Sequence, residues 1–393
     1  MKKIAILGAS YLQVPLVRKA SEMGIESHVF AWEQGAVAKN MADHFYPVSI
    51  LDKEKILTIC KRIKPDGVVS IASDIAMTTV NYLADKLKLT GNSMHCTLVT
   101  TNKYEMRRQL TAKKIDCPGF IKFDGQNSYD FNLVKNLNLP LIVKPVDRSG
   151  SRGVTKVDSY FDLQYAVNRA MEESFSKLVI VEEFIVGNEY SVEMISWKGE
   201  HHFLAITEKV TSGYPYFVEL EQHEPANLSE GLQLKMIELV SNALTALEVE
   251  YGASHSELMV DAEGNLHIIE IGARMGGDNI GARLVQMSTG YDFVKGVIEV
   301  SLGVEPTIIK PSSNFAGIYY LTPPKGKVKS IMLKTDAYKE IIAHEVFIVK
   351  GDSVEFPVKD SAQRSGYFMY QSTRPFRIEN PHEILVITTE PQI

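Results

Sequence analysis

Two glutamates, Glu257 and Glu270, flank a turn in the stretch HSELMVDAEGNLHIIEIGARMGG, residues 255–277. The runs 258–261 and 266–269 are short and apolar. Ala262, Glu263, Gly264 and Asn265 between them are turn residues, so the segment is predicted to be a β-hairpin. A hairpin centred on that turn sets Glu257 opposite Glu270. Directly opposed residues share one sheet face, with Cβ atoms about 4.5–5.5 Å apart. Two carboxylates that close repel each other unless a cation lies between them. Hard oxygen donors suit Mg²⁺, which is commonly held by one or two carboxylates together with substrate phosphates. Arg274, Gly276 and Gly277 follow at once, adding a fixed cation and a permissive backbone. The competing reading is a surface hairpin with two solvated glutamates.

A second stretch with chemistry is LIVKPVDRSGSRGV, residues 141–154. A buried strand ends in Lys144, and a loop containing Ser149, Gly150, Ser151 and Gly153 follows. Backbone N–H groups of such a loop can cradle phosphate oxygens, and the lysine supplies a point charge. This is not the Walker arrangement, because the lysine precedes the loop. The alternative is an ordinary hairpin loop. A third stretch, VIVEEFIVGNEY at 179–190, runs from a strand into Glu182, Glu183, Phe184, Ile185 and then Glu189. Its backbone could bond an adenine edge, and the later carboxylate could accept ribose hydroxyls. Taken alone it reads equally well as a charged strand end. Between 205 and 226, Lys209, His223 and several aromatics could shape an acceptor pocket, or form an exposed loop and edge strand. His255 could face the same pocket or be a hydrogen-bonded structural histidine.

The elements that must position these residues begin with a β-α-β alternation. Strands are predicted at 3–7, 27–30 and 67–71, and helices after Ser10, over 53–63 and over 78–87, which implies a parallel sheet. Gly8 invites a dinucleotide-binding reading, but Ser10 and Gln13 stand where the second and third glycines belong. No acid ends the second strand near Trp32. A structural βα turn is the better reading. From Thr101 a helix starts, with Thr101 or Asn102 as cap. Strand-rich sequence follows, with helices at 160–173 and 232–247. After Gly303 the pattern is again strand-like, punctuated by Pro306, Pro311, Pro323 and Pro324. Boundaries fall near 100–115 and near 305.

The length of 393 residues fits two or three domains. The net charge of −6 argues against a general nucleic-acid binder. Three widely spaced cysteines fit neither a disulfide framework nor a zinc site, and agree with a reducing cytoplasmic setting. The apolar run at the N-terminus is too short for a signal peptide, and no run reaches the length of a membrane span.

Together the three stretches resemble the ATP-grasp superfamily of carboxylate–amine ligases, related to biotin carboxylase, glycinamide ribonucleotide synthetase and the L-amino acid ligases. The resemblance covers most of residues 1–305 and rests on order and spacing: Lys103 early in the linker helix, Lys144 before its glycine loop, the Glu182–Ile185 hinge with Glu189, then Glu257 and Glu270. It implies a Rossmann-like domain (1–100), an ATP-grasp domain (101–305) with a lid at about 115–185, and a strand-rich C-terminal domain (306–393), α/β and α+β in class. By the same resemblance Lys103, Lys144 and the loop at Ser149, Gly150, Ser151 and Gly153 hold ATP phosphates. Glu182 and the backbone of Ile185 meet adenine, and Glu189 meets ribose. Glu257 and Glu270 ligate Mg²⁺, or Mn²⁺, and Arg274 stabilises acyl-phosphate oxygens or the incoming carboxylate. One departure stands out: many members read Glu-x-Asn-x-Arg where this chain has Gly272. The metal is then held mainly by the two glutamates, water and phosphate, or Asp278 or Asn279 substitutes. The activity expected is ADP-forming activation of a small-molecule carboxylate and its transfer to an amine such as an amino acid, by a homodimer. The alternatives are a purine-pathway ligase or carboxylating enzyme, and a nucleotide-binding module without turnover.

Overall fold

Short apolar runs alternating with amphipathic stretches build the N-terminal unit. β1 (Lys3–Leu7), α1 (Val14–Glu22), β2 (Glu26–Ala31), β3 (His44–Pro47), α2 (Lys53–Ile63), β4 (Gly67–Val69) and α3 (Asp74–Leu87) follow in order. The strands pair in parallel in the order β3-β2-β1-β4. Ile4–Leu7 of the inner strand are fully buried, as a sheet covered by helices on both faces requires. The computed structural model describes residues 1–124, 131–309, 312, 314–334 and 338–390; Pro311 lies outside them.

α4 (Met94–Thr101) and α5 (Lys103–Ala112) lead onward. Asn102 caps α5, its Oδ1 accepting from the N–H groups of Tyr104 and Glu105 at 3.1 and 3.2 Å. That cap fixes where Lys103 leaves the chain. Next come β5 (Phe120–Asp124), α6 (Phe131–Val134), β6 (Leu141–Pro145), β7 (Thr155–Val157), α7 (Leu163–Glu173) and β8 (Leu178–Glu183). These strands form an antiparallel sheet in the order β5-β8-β6-β7. Leu163, Ala166, Val167 and Ala170 make the helical stripe that covers it.

The remaining elements are β9 (Asn188–Trp197), β10 (Glu200–Thr211), β11 (Glu219–Glu224), α8 (Glu230–Ala246), β12 (Gly252–Val260), β13 (Leu266–Gly272), α9 (Val285–Thr289), α10 (Phe293–Ser301), β14 (Phe315–Tyr320), β15 (Gly326–Leu333), β16 (Ile341–Val346), β17 (Ser353–Val354), β18 (Gly366–Ser372) and β19 (Leu385–Glu390). One eight-stranded sheet runs β13-β12-β9-β10-β11-β14-β18-β16. It passes straight through position 305, because β11 pairs antiparallel with β14. Of these later strands, β15, β17 and β19 form a separate sheet.

Helix α10 has no counterpart in the sequence reading. Its β-branched residues favour strand, yet Asp292 caps it by accepting from the N–H of Lys295 at 3.0 Å. Phe293, Val294, Val297 and Ile298 join one core with Leu16 and Val17 of α1 and Val69 of β4. Burial between the N-terminal unit and the large sheet overrides propensity there.

Candidate active site

The hairpin of β12 and β13 pairs Glu257 with Glu270. The route to that register differs from a hairpin centred on the turn. Near the turn Val260 faces Leu266, Met259 faces His267 and Leu258 faces Ile268. A bulge then inserts Ile269 and restores the Glu257–Glu270 match. The carbonyl of the inserted residue accepts from Arg107 Nη2 at 2.6 Å.

Each glutamate carries its own lysine. Lys103 Nζ donates to Glu270 Oε1 at 2.7 Å and to the carbonyl of Arg148, also at 2.7 Å. Burial alone would depress this ammonium, but Glu270 outweighs it and the group titrates above its ordinary value. Lys209 Nζ donates to Glu257 Oε1 at 2.7 Å, contacts Glu189 and lies 3.6 Å from Glu219. Burial pushes the Glu189 carboxyl up despite that contact. Burial would likewise raise Glu257, but Lys209 and His255 hold it well below the usual carboxylate range. His255 bridges Glu257, at 3.3 Å, and the fully buried Glu193. Its pKa, which burial would lower, is driven up to about 9 by Glu193.

A third lysine–glutamate pair lies deeper. Lys144 Nζ is 2.6 Å from Glu182 Oε2, and Arg107 Nε is 2.7 Å from Glu182 Oε1. All three residues are buried. Burial lowers the Lys144 pKa, with Glu182 opposing. Arg107 Nε and Glu182 Oε1 are close but poorly aligned, and neither makes a well-formed hydrogen bond among the described residues. Glu183 is also occupied, accepting from the N–H and side-chain amide of Asn138 at 2.9 and 2.7 Å. Neither hinge carboxylate is therefore free for a base edge.

These pairs face one cavity of about 510 Å³. Ile142, Phe184, Ile185, Val186, Met259 and Ile269 give it an apolar slot. Ser149, Gly150, Ser151 and Arg274 line it as well; Gly153 is not on its wall but bends the same loop, with φ of +71° at both Gly150 and Gly153. Ser151 Oγ reaches the carbonyl of Phe217 at 3.5 Å, so the loop touches the β10–β11 connection.

Arg274 does not stand alone. Its Nε and Nη2 fork onto Asp74 Oδ1 and Oδ2 at 2.8 and 3.0 Å. Asp74 opens α3, so the N-terminal unit grips the β12–β13 hairpin through this pair. Burial would raise the Asp74 carboxyl, but Arg274 lowers it. The pair also explains Gly272. A Cβ there would lie 2.9 Å from Asp74 Oδ1 and 3.1 Å from Arg274 Nε. Asp278 is forked onto Arg364 at 2.7 and 2.9 Å, and Asp278 and Asn279 line an adjoining cavity that Glu257 borders and Glu270 does not. The Gly272→Asn variant is expected to keep its fold and lose about ten- to a hundredfold in kcat/KM, the scale of losing an outer-shell partner. Steady-state ADP formation measures this; a variant as active as the parent would show that the crowding carries no function.

A family model described as an ATP-grasp domain matches residues 137–282. That match covers the segment running from β6 through the Glu257–Glu270 hairpin. It is 27% identical over 232 residues to a formate-dependent phosphoribosylglycinamide formyltransferase of Prochlorococcus marinus, covering 57% of this chain and 55% of that protein. The chain thus spans about half the length of the first curated relatives it matches. An L-arginine-specific L-amino acid ligase of Bacillus subtilis is 22% identical over 358 residues, 87% of this chain and 84% of the other. The crystal structure of an L-amino acid ligase from Bacillus licheniformis superposes with a TM-score of 0.81 at 23% identity, covering 99% of each chain. At that identity the likeness speaks for the ATP-grasp fold alone. No helix among the described residues is long and apolar enough to cross a membrane.

The sequence reading missed Arg107, Asp74 and Glu193. Arg107 sits on the same helix as Lys103, one turn on, and that spacing was the available signal. Nothing in the sequence tied Asp74 to Arg274.

Proposed function

We propose that this ATP-grasp chain is an ADP-forming ligase that phosphorylates a small-molecule carboxylate and transfers the acyl group to an amine. The observation that carries the reading is the convergence of Lys103–Glu270, Lys209–Glu257 and Lys144–Glu182 on one cavity with an apolar slot. In this reading the slot and the backbone of Ile185 take adenine. Glu182 holds Lys144 toward the phosphates in place of meeting the base. Glu189 meets ribose, and Lys103, Lys144 and the N–H groups of the Ser149–Gly153 loop meet phosphate oxygens.

The donor set fits a hard divalent ion. Two register-paired carboxylates face the cavity, each neutralised by a lysine. Glu257 and Glu270 would hold Mg²⁺, with Mn²⁺ as an alternative. Bound Mg-ATP supplies the phosphoryl group and the charge neutralisation that such a transfer needs. Lys103 and Lys209, displaced from their glutamates, remain within the cavity to meet phosphate charge. Arg274, held by Asp74, faces the oxygens of the acyl phosphate, and His255 stays charged beside Glu257. The L-amino acid ligase among the relatives supports an amino acid as one substrate, and a homodimer belongs to the same proposal.

Hydroxylamine in place of the amine tests the chemistry. With Mg-ATP and a carboxylate panel, hydroxamate and ADP are expected in equal amounts. ADP formed equally fast with no carboxylate, or none formed with any panel while nucleotide binds, would sink the reading.

A further inference from the structure

A second cavity, of about 590 Å³, opens beyond the glutamates and shares Lys209, His255, Glu257 and Arg274 with the first. Its far walls come from the two ends of the chain. Tyr11 follows β1, while Glu345, Phe347, Arg364 and Tyr367 belong to the C-terminal strands and their connections.

The charges on these walls discriminate between substrates. Three of the cations are already committed: Arg274 to Asp74, Arg364 to Asp278, and Lys209 to Glu189, Glu219 and Glu257. His255 is held by Glu193 and Glu257. Among the described residues only Arg152 lines this cavity as a cation without an ion pair, and it is exposed on the glycine loop. A phosphate ester calls for a fork of free cationic donors, and among the described residues the far walls carry none.

Glu345 is the opposite case. It makes no ion pair among the described residues, and it accepts a hydrogen bond from the Tyr367 hydroxyl at 2.9 Å. Phe347 packs edge-on against Tyr367 with centroids 5.9 Å apart, and lies 6.3 Å from Tyr11. Tyr11 and Phe347 are 46% and 47% exposed, so their rings meet the solvent at the cavity mouth. A carboxylate framed by aromatic rings is a cation-recognising arrangement. The same wall already uses it internally: the Arg364 guanidinium lies 3.7 Å from the Tyr320 ring centroid while forked onto Asp278. Glu345 with Tyr11, Phe347 and Tyr367 repeats that pattern, and among the described residues no cation is ion-paired to Glu345.

We infer that the second cavity takes an unphosphorylated amine bearing an organic cation, such as a basic amino acid, with Glu345 as the specificity-determining carboxylate. The inference rests on the ligase reading for the reaction only; the binding preference follows from the walls.

Calorimetric titration of the full chain with L-lysine, L-norleucine and ribose 5-phosphate, in the presence of ADP and Mg²⁺, tests it. Norleucine keeps the carbon chain of lysine and lacks only the terminal ammonium. Lysine is expected to bind at least about tenfold more tightly than norleucine, within the range for a cation over aromatic rings, and ribose 5-phosphate more weakly than either. Glu345→Gln, at an exposed position, should erase the lysine preference while ADP affinity is retained. Equal binding of lysine and norleucine, tighter binding of ribose 5-phosphate, or a preserved preference in E345Q would overturn the inference. Preferential lysine binding without ADP formation from any amine would support it and count against the ligase reading instead.

Discussion

Glu270→Gln is expected to lower Mg²⁺-dependent ADP formation by about 10²–10³-fold, the loss typical when one preorganised charge-stabilising group is removed. The substitution keeps the side chain's shape and takes away its charge. Two consequences follow from the geometry. The hairpin retains one anionic ligand, Glu257, for the divalent ion, and Lys103 loses the carboxylate that raises its pKa. The fold should survive, because the Glu270 side chain is 23% exposed and amide replacement leaves an acceptor for Lys103. Steady-state ADP production across a Mg²⁺ titration, with a denaturation curve as control, is the measurement. Turnover within twofold of the parent at every Mg²⁺ concentration would refute the metal assignment.

Arg107→Ala carries the largest expected effect on stability. Arg107 is 1% exposed and faces Glu182, itself 1% exposed. Removing one partner of a buried pair typically costs about 3–5 kcal/mol, since an uncompensated charge stays behind. Here Lys144 remains on Glu182, which places the expectation at the lower end, about 3 kcal/mol. The carbonyl of the bulged Ile269 also loses its donor. The change should therefore disturb the Glu257–Glu270 register as well as stability. Urea denaturation gives the first quantity, and the Mg²⁺ dependence of ADP binding the second. A loss of stability below about 1 kcal/mol would show that the Arg107–Glu182–Lys144 cluster is held by something other than its charges.

The glutamate hairpin was legible because strand period and turn composition are local signals. Its register was right for an incomplete reason, since the bulge at Ile269 depends on Arg107, a partner far away in sequence. Lys144 and its loop were legible for the same local reason. Asp74 was not: the helix read over 78–87 leaves it in the preceding connection, and only the docking of the N-terminal unit gives it Arg274. Gly272 looked like a missing ligand. In three dimensions it is the space that the Asp74–Arg274 fork needs. Likewise the expected contact of Glu182 with a base ignored Arg107, which turns the carboxylate inward. Helix α10 was hidden because its β-branched residues read as strand; its one polar stripe, Lys295 and Glu299 at 3.5 Å, is only two residues wide in a run otherwise buried.

The pairing of β11 with β14 has a mechanical consequence. The hairpin bearing Glu257 and Glu270 and the strand bearing Glu345 belong to one hydrogen-bonded sheet. The four-stranded sheet that carries Lys144 and the glycine loop is a separate plate, hydrogen-bonded as a sheet in itself. If the proposed ligase closes over nucleotide, Lys144 is expected to shift relative to Glu257 and Glu270 more than those glutamates shift relative to Glu345.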